Sequence, residues 1–133
     1  MIKPRHILYP AILLAAMATA AVAQQNPAPP SGPFKAVHLM SMTADQEAKQ
    51  MAFIRDANQV FAKLGCANCA YHLYKVGAAD GGKYNHMMSS DWPGWDMYIK
   101  LHASDDYKAL GKKHPVMEEL ERTQFYERFV EVK

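Results

Sequence analysis

The chain has 133 residues, with 15 Lys and Arg against 13 Asp and Glu, a formal net charge of +2, and 50% hydrophobic residues. That is enough chain for one domain with a single core and none to spare. No basic patch or stripe argues for a nucleic-acid partner.

Lys3, Arg5 and His6 precede an uncharged run over 7–20, and Ala21, Val22 and Ala23 supply a small-x-small cleavage site. This is the pattern of a secretory signal peptide, so residues 1–23 are expected to be removed and the protein exported, periplasmic or secreted. The uncharged stretch is shorter than the roughly 20 residues of a spanning helix, and Pro10 interrupts it. No membrane association is expected after cleavage. Residues 24–33, QQNPAPPSGP, read as a disordered proline-rich linker, which leaves 34–133 as the folded domain.

FKAVHLMSM, residues 34–42, reads as a first strand. Thr43 with Gln46 three residues later forms a capping box, and Ile54, Ala57, Phe61 and Leu64 mark an amphipathic helix that Gly65 ends. CAYHLYKV, 69–76, and KYNHMMSS, 83–90, flank the glycine-rich GAADGG and read as a hairpin. DWPGWDMYIKLH is read as helix, with Asp91 as cap and Pro93 in its first turn. Helical chain restarts at Ser104, breaks at Pro115 and continues to about Arg122; QFYERFVEV, 124–132, alternates as a last strand.

The order strand, helix, strand, strand, helix, strand is that of an α+β, ferredoxin-like βαββαβ domain with an antiparallel sheet. Helices cover one sheet face, so the other needs a cover, most simply a second copy of the chain. A homodimer is therefore expected.

VHLM in the first strand, KYNH opening the third, an aromatic six residues after that histidine, and YIKLHASDDY in the next helix resemble the dimeric α/β barrel superfamily. Within it they are most similar to the stress-responsive A/B barrel proteins. The matching positions are His38, Tyr84, His86 and Trp92. The resemblance implies a dimeric α/β barrel whose interior binds a small organic molecule. Where related cyclases use a helix tyrosine and a later histidine, this chain has Leu101 or His102 and then Tyr107. Where haem-degrading barrels use a strand-one asparagine, a helix tryptophan and a helix histidine, strand one has no asparagine, and His102 and Gly111 stand near the other two. Neither chemistry is carried over.

Cys66 and Cys69 fit four chemistries unequally. Covalent haem needs histidine directly after the second cysteine, and Ala70 stands there. A thioredoxin-like pair sits at a helix N-terminus, whereas this one follows a helix C-terminus. Zinc would need His72 or His86 to complete its ligands. Export makes a Cys66–Cys69 disulfide the simplest outcome.

Strand parity sorts the histidines. A register pairing His72 with His86 also pairs Tyr74 with Tyr84, and places His38, His72, His86, Tyr74, Tyr84 and Met88 on one, barrel-facing side. The aliphatic Val37, Leu39 and Leu73 are then expected to meet the helices. His38, His86 and Tyr84 are the candidate catalytic residues; His72, Tyr74, Met88, Trp92 and His102 are candidate ligand contacts. Trp92, Trp95, Tyr98 and His102 at helical spacing read mainly as core, with His102 and Tyr107 able to close the cavity mouth. His114 is expected in solvent. The expected function is binding of an aromatic or apolar small molecule without a cofactor, with catalysis an open extension of it. The alternatives are a copper or zinc protein using His38, His72 and His86, and a structural or interaction module.

Overall fold

Four short runs of alternating residues zip into one sheet. In the computed structural model they are β1 (Phe34–Met40), β2 (His72–Lys75), β3 (His86–Trp92) and β4 (Phe125–Phe129), in the order β2-β3-β1-β4. All three pairings are antiparallel. The helices are α1 (Ala44–Lys63), α2 (Trp95–His102), α3 (Asp105–Lys113) and α4 (Val116–Glu121). The structure describes residues 28–77, 82–121 and 124–133. The expected signal peptide, the first part of the linker and the middle of the glycine turn lie outside the described residues.

The capping box forms at the head of α1: Gln46 N–H donates to Thr43 Oγ1 at 3.2 Å, and Thr43 N–H donates to Gln46 Oε1 at 3.0 Å. Gly65 ends the helix at φ 93°, in the left-handed region that favours glycine. α1 buries Phe53, Ile54, Ala57 and Phe61 against Phe34, Ala36, Met40, Met88 and Trp92 of the sheet. Each large side chain so buried stabilises the fold by about 1.5–3 kcal/mol. Cys66 and Cys69 are joined as a disulfide around a 3₁₀ turn, Ala67–Cys69, between α1 and β2.

Two local expectations change. Asp91 does not cap α2; it belongs to β3 and pairs with Lys35 across the sheet at 2.7 Å, so β3 extends to Trp92 and α2 starts at Trp95 after Gly94. The hairpin register also differs by three residues: His72 pairs with Ser89, and Lys75 with His86. Asn85 anchors the start of β3 to β1. Its side chain bonds both the N–H and the C=O of Met42 at 2.9 Å, and its N–H donates to Met40 O, so ladder-like pairing with β1 continues into the residue before β3.

An odd shift in register moves residues to the other face. Phe34, Ala36, His38 and Met40, with His86, Met88, Ser90 and Trp92, face the helices, as do Tyr126 and Arg128 opposite His38 and Ala36. Val37, Leu39, Met87, His72 and Tyr74 lie on the open face, together with Phe125 and Phe129, which remain 43% and 51% exposed. The expected assignment of faces is thus inverted for Val37, Leu39, His38, His86 and Met88. Among the described residues, no helix is long and apolar enough to cross a membrane.

Candidate functional site

A cavity of about 430 Å³ opens between the sheet and α2, α3 and α4, a volume suited to a small organic ligand. The sheet supplies Ala36 and His38 from β1, Ser90 from β3 and Tyr126 from β4. The helical side supplies Tyr98 and His102 from α2, Tyr107 from α3 and Met117 from α4. Tyr71 enters from the turn before β2, held by Asn58 of α1, whose amide bonds both its N–H at 2.7 Å and its C=O at 3.0 Å.

His38 pairs with Tyr126 across β1 and β4, and their rings lie 4.4 Å apart. Its Nδ1–H donates to Gln124 Oε1 at 2.8 Å. That bond fixes the tautomer and leaves Nε2 as the unprotonated nitrogen of a neutral ring. Burial pushes the His38 pKa below its ordinary 6.5; the Gln124 bond opposes this, and His102 and Arg128 lower it further.

His102 is held differently. A carbonyl can only accept, so His102 Nδ1–H donates to Tyr98 O at 2.8 Å and Nε2 accepts from Tyr71 OH at 3.1 Å. Tyr71 in turn accepts from Tyr107 OH at 3.1 Å. Burial lowers the His102 pKa and raises that of Tyr71 well above 10, so this chain of groups is uncharged. His102 spends its lone pair on Tyr71, whereas His38 keeps one for the cavity. Trp92 floors the site, its ring 5.1 Å from His102 and 4.9 Å from Tyr98, with its indole N–H donated to Ser90 Oγ.

At the other end Tyr98 OH and Tyr126 OH are 3.0 Å apart. Arg128 lies over the Trp95, Tyr98 and Tyr126 rings at 4.8, 5.3 and 5.0 Å. Burial raises the Tyr126 pKa, and its bond to Tyr98 raises it further. Burial works against the Arg128 cation, but the neighbouring Tyr98 and Tyr126 more than offset it.

Of the residues singled out in the sequence, His38, Tyr98, His102 and Tyr107 line this cavity and Trp92 packs beneath it. The remaining candidate site residues are elsewhere. Met88 is fully buried in the core and accepts a bond from Gln50. His86 is buried between Asn85 Oδ1 at 2.6 Å and Glu47 Oε2 at 2.9 Å. Tyr84 precedes β3 beside Lys83, outside the ladder. His72 and Tyr74 are on the opposite sheet face, so His38, His72 and His86 do not form one ligand set. His114 is not solvated: half-buried, it donates from Nε2 to Asp56 Oδ2 at 2.7 Å. The residues missed are Gln124, Tyr126, Arg128 and Ser90. For all but Ser90 the signal was the alternation in QFYERF, where Gln124, Tyr126 and Arg128 share one face and Phe125 and Phe129 the other.

A single antiparallel sheet in the order β2-β3-β1-β4 with helices on one face defines a ferredoxin-like α+β domain. Solved structures place it more closely, in the fold of the dimeric α/β barrel proteins. A DABB family protein with a ferredoxin-like fold from Mesorhizobium loti is 12% identical with TM-score 0.54, over 77% of this chain and 100% of that one. SnoaB, a cofactor-independent oxygenase from Streptomyces nogalater, is 13% identical with TM-score 0.53, over 77% and 96%. A dimeric protein of unknown function and ferredoxin-like fold from Bacteroides fragilis is 14% identical with TM-score 0.52, over 74% and 96%. At these identities the likeness is one of fold. No family model matches the sequence, and no curated protein matches it.

Proposed function

We propose that the protein is an exported homodimer that takes a small aromatic or otherwise apolar molecule into the sheet–helix cavity and removes a proton from it with His38, without a bound cofactor. The observation that carries this is the state of His38: neutral through burial, anchored at Nδ1 by Gln124, and lining a cavity walled with aromatic rings. Nε2 takes the substrate proton, the ring becomes imidazolium, and the charge left on the substrate meets tyrosine hydroxyls. Tyr107, Tyr71 and His102 orient the ligand's other end. The oxygenase SnoaB, cofactor-independent itself, has the same fold, which makes the reading reasonable without supplying a substrate.

The apolar open face of the sheet supports the dimer, as does the dimeric Bacteroides fragilis neighbour. Export rests on the signal-like first 23 residues and agrees with the Cys66–Cys69 disulfide, since disulfides persist in oxidising compartments. The metal alternative loses its basis with the separation of His72 from His38 and His86.

Both tryptophans pack against residues that line the cavity, so intrinsic fluorescence reports on it. Saturable quenching by members of a panel of naphthols and hydroxyquinones is expected, weakened in His38→Ala. Absence of quenching by every member would sink the proposal.

A further inference from the structure

Arg128 occupies an unusual position for a cation. It faces Ala36, a cavity-lining residue, across the β1–β4 pair, and lies on the same face as Tyr126 two residues earlier. Its guanidinium rests among three aromatic rings, and its Nε is buried with no hydrogen-bond partner. Among the described residues no carboxylate pairs with it. A partly desolvated cation without a counter-charge is costly, and ring contacts offset only part of that cost.

The two tyrosines beside it carry two hydroxyl protons. One is used in the bond between Tyr98 and Tyr126. The hydroxyl that accepts in that bond keeps its own proton to donate, both tyrosines line the cavity, and the Arg128 guanidinium lies over both rings. His38 stands against the same corner, its ring 4.4 Å from that of Tyr126. A proton acceptor and an electropositive donor pair therefore face one volume from neighbouring positions on β1 and β4.

We propose that the Tyr98–Tyr126–Arg128 corner is an oxyanion subsite, and that the ligand is an acidic phenol or enol whose oxygen ionises there. This rests on the proposed function and specifies its substrate class. The ligand O–H bond breaks, its proton goes to His38 Nε2, and the electron pair stays on the ligand oxygen. That oxygen accepts the spare tyrosine proton, with Arg128 as counter-charge acting through the tyrosines. Arg128 is a positioning residue and does not itself touch the ligand.

The test is a spectrophotometric pH titration of 4-nitro-1-naphthol, whose phenol and phenolate differ in colour, free and with saturating native protein. The acid ionisation constant of the bound phenol is expected to rise about 10-fold or more, the effect of a nearby opposite charge. Arg128→Met should abolish most of that rise, and Arg128→Lys, which keeps the charge but not the planar guanidinium that lies over the rings, should retain part of it. Binding without a rise in the native protein overturns the subsite and leaves the cavity reading standing. An unchanged rise in Arg128→Met overturns the role of Arg128. Failure to bind overturns the proposed function and the subsite together.

Discussion

The two faces of the sheet contradict the usual expectation that covered residues are apolar and open ones polar. The helix-covered face carries His38, Ser90, Tyr126 and Arg128 among its aromatic core, while the open face carries Val37, Leu39, Met87, Phe125 and Phe129. A polar set beneath helices is retained for a ligand, and an apolar set left in the open awaits a second surface. The sharpest break of this comparison is Val37→Asp with Leu39→Asp. Two apolar side chains, each contributing about 1.5–3 kcal/mol when buried, are lost. The dimer dissociation constant should rise by roughly 10²- to 10⁴-fold, read as a halved mass in light scattering. A native protein that is already monomeric at micromolar concentration would remove the premise.

On the covered face the corresponding test is His38→Ala. Turnover of any substrate found should fall by roughly 10²- to 10⁴-fold, the usual contribution of a positioned acid or base, against little change per folded molecule in His114→Ala. The pH dependence has a definite sign. Because burial holds the His38 pKa below 6.5, the neutral base predominates at pH 6.5, and activity should be lost as pH falls through that lowered value. A rate that climbs between pH 7 and 8 would point to another base.

The element order was legible because its signals are local: the Thr43–Gln46 box, the α1 stripe ending at Gly65, and the glycine-rich turn all act within a few residues of chain. Register was not, since it depends on a contact between distant segments. Asn85 reaches the backbone of Met42 across 43 positions of sequence, and that pins the start of β3 to the end of β1, a pairing that no local signal specifies. Face assignment failed for a related reason. When both faces of a sheet are to be covered, hydrophobic alternation does not say which is which. Val37 and Leu39 are as apolar as a helix-facing pair would be, yet Phe34, Ala36 and Met40 take that role. His38 and His102 could be picked out by residue type, but Gln124 and Arg128 become informative only once β4 is known to lie beside β1.

Away from either face, the Cys66–Cys69 disulfide tests how much the α1–β2 connection contributes. It closes a loop of only a few residues, so replacing both cysteines with serine should lower stability by roughly 2 kcal/mol in the chain-entropy model, measured as a urea midpoint. Ligand quenching should persist, since the disulfide does not line the sheet–helix cavity. Lost quenching in a folded double variant would show that the connection positions Tyr71, the first residue after it to enter the site.

The smallest expected effect separates the two buried-face histidines. His86 sits on the same side of the sheet as His38, but its surroundings are filled. The orientation of Asn85 is set by its two bonds to Met42, so Oδ1 must accept from His86 Nδ1, and Nε2 faces the Glu47 carboxylate, which also holds Lys75 at 3.0 Å. Both ring nitrogens are engaged within the protein, so His86 is a clamp between β3 and α1. The bonds from His86 and Lys75 hold the Glu47 pKa below its ordinary value. Its stabilisation is therefore present above the unfolded glutamate pKa and lost as pH falls through the lowered folded one. Urea midpoints of the native protein and Glu47→Gln should differ slightly at pH 7 and converge below about pH 4, near and under the ordinary glutamate value. A gap that does not change with pH would mean that Glu47 acts through packing alone, and that the His86 clamp is not electrostatic.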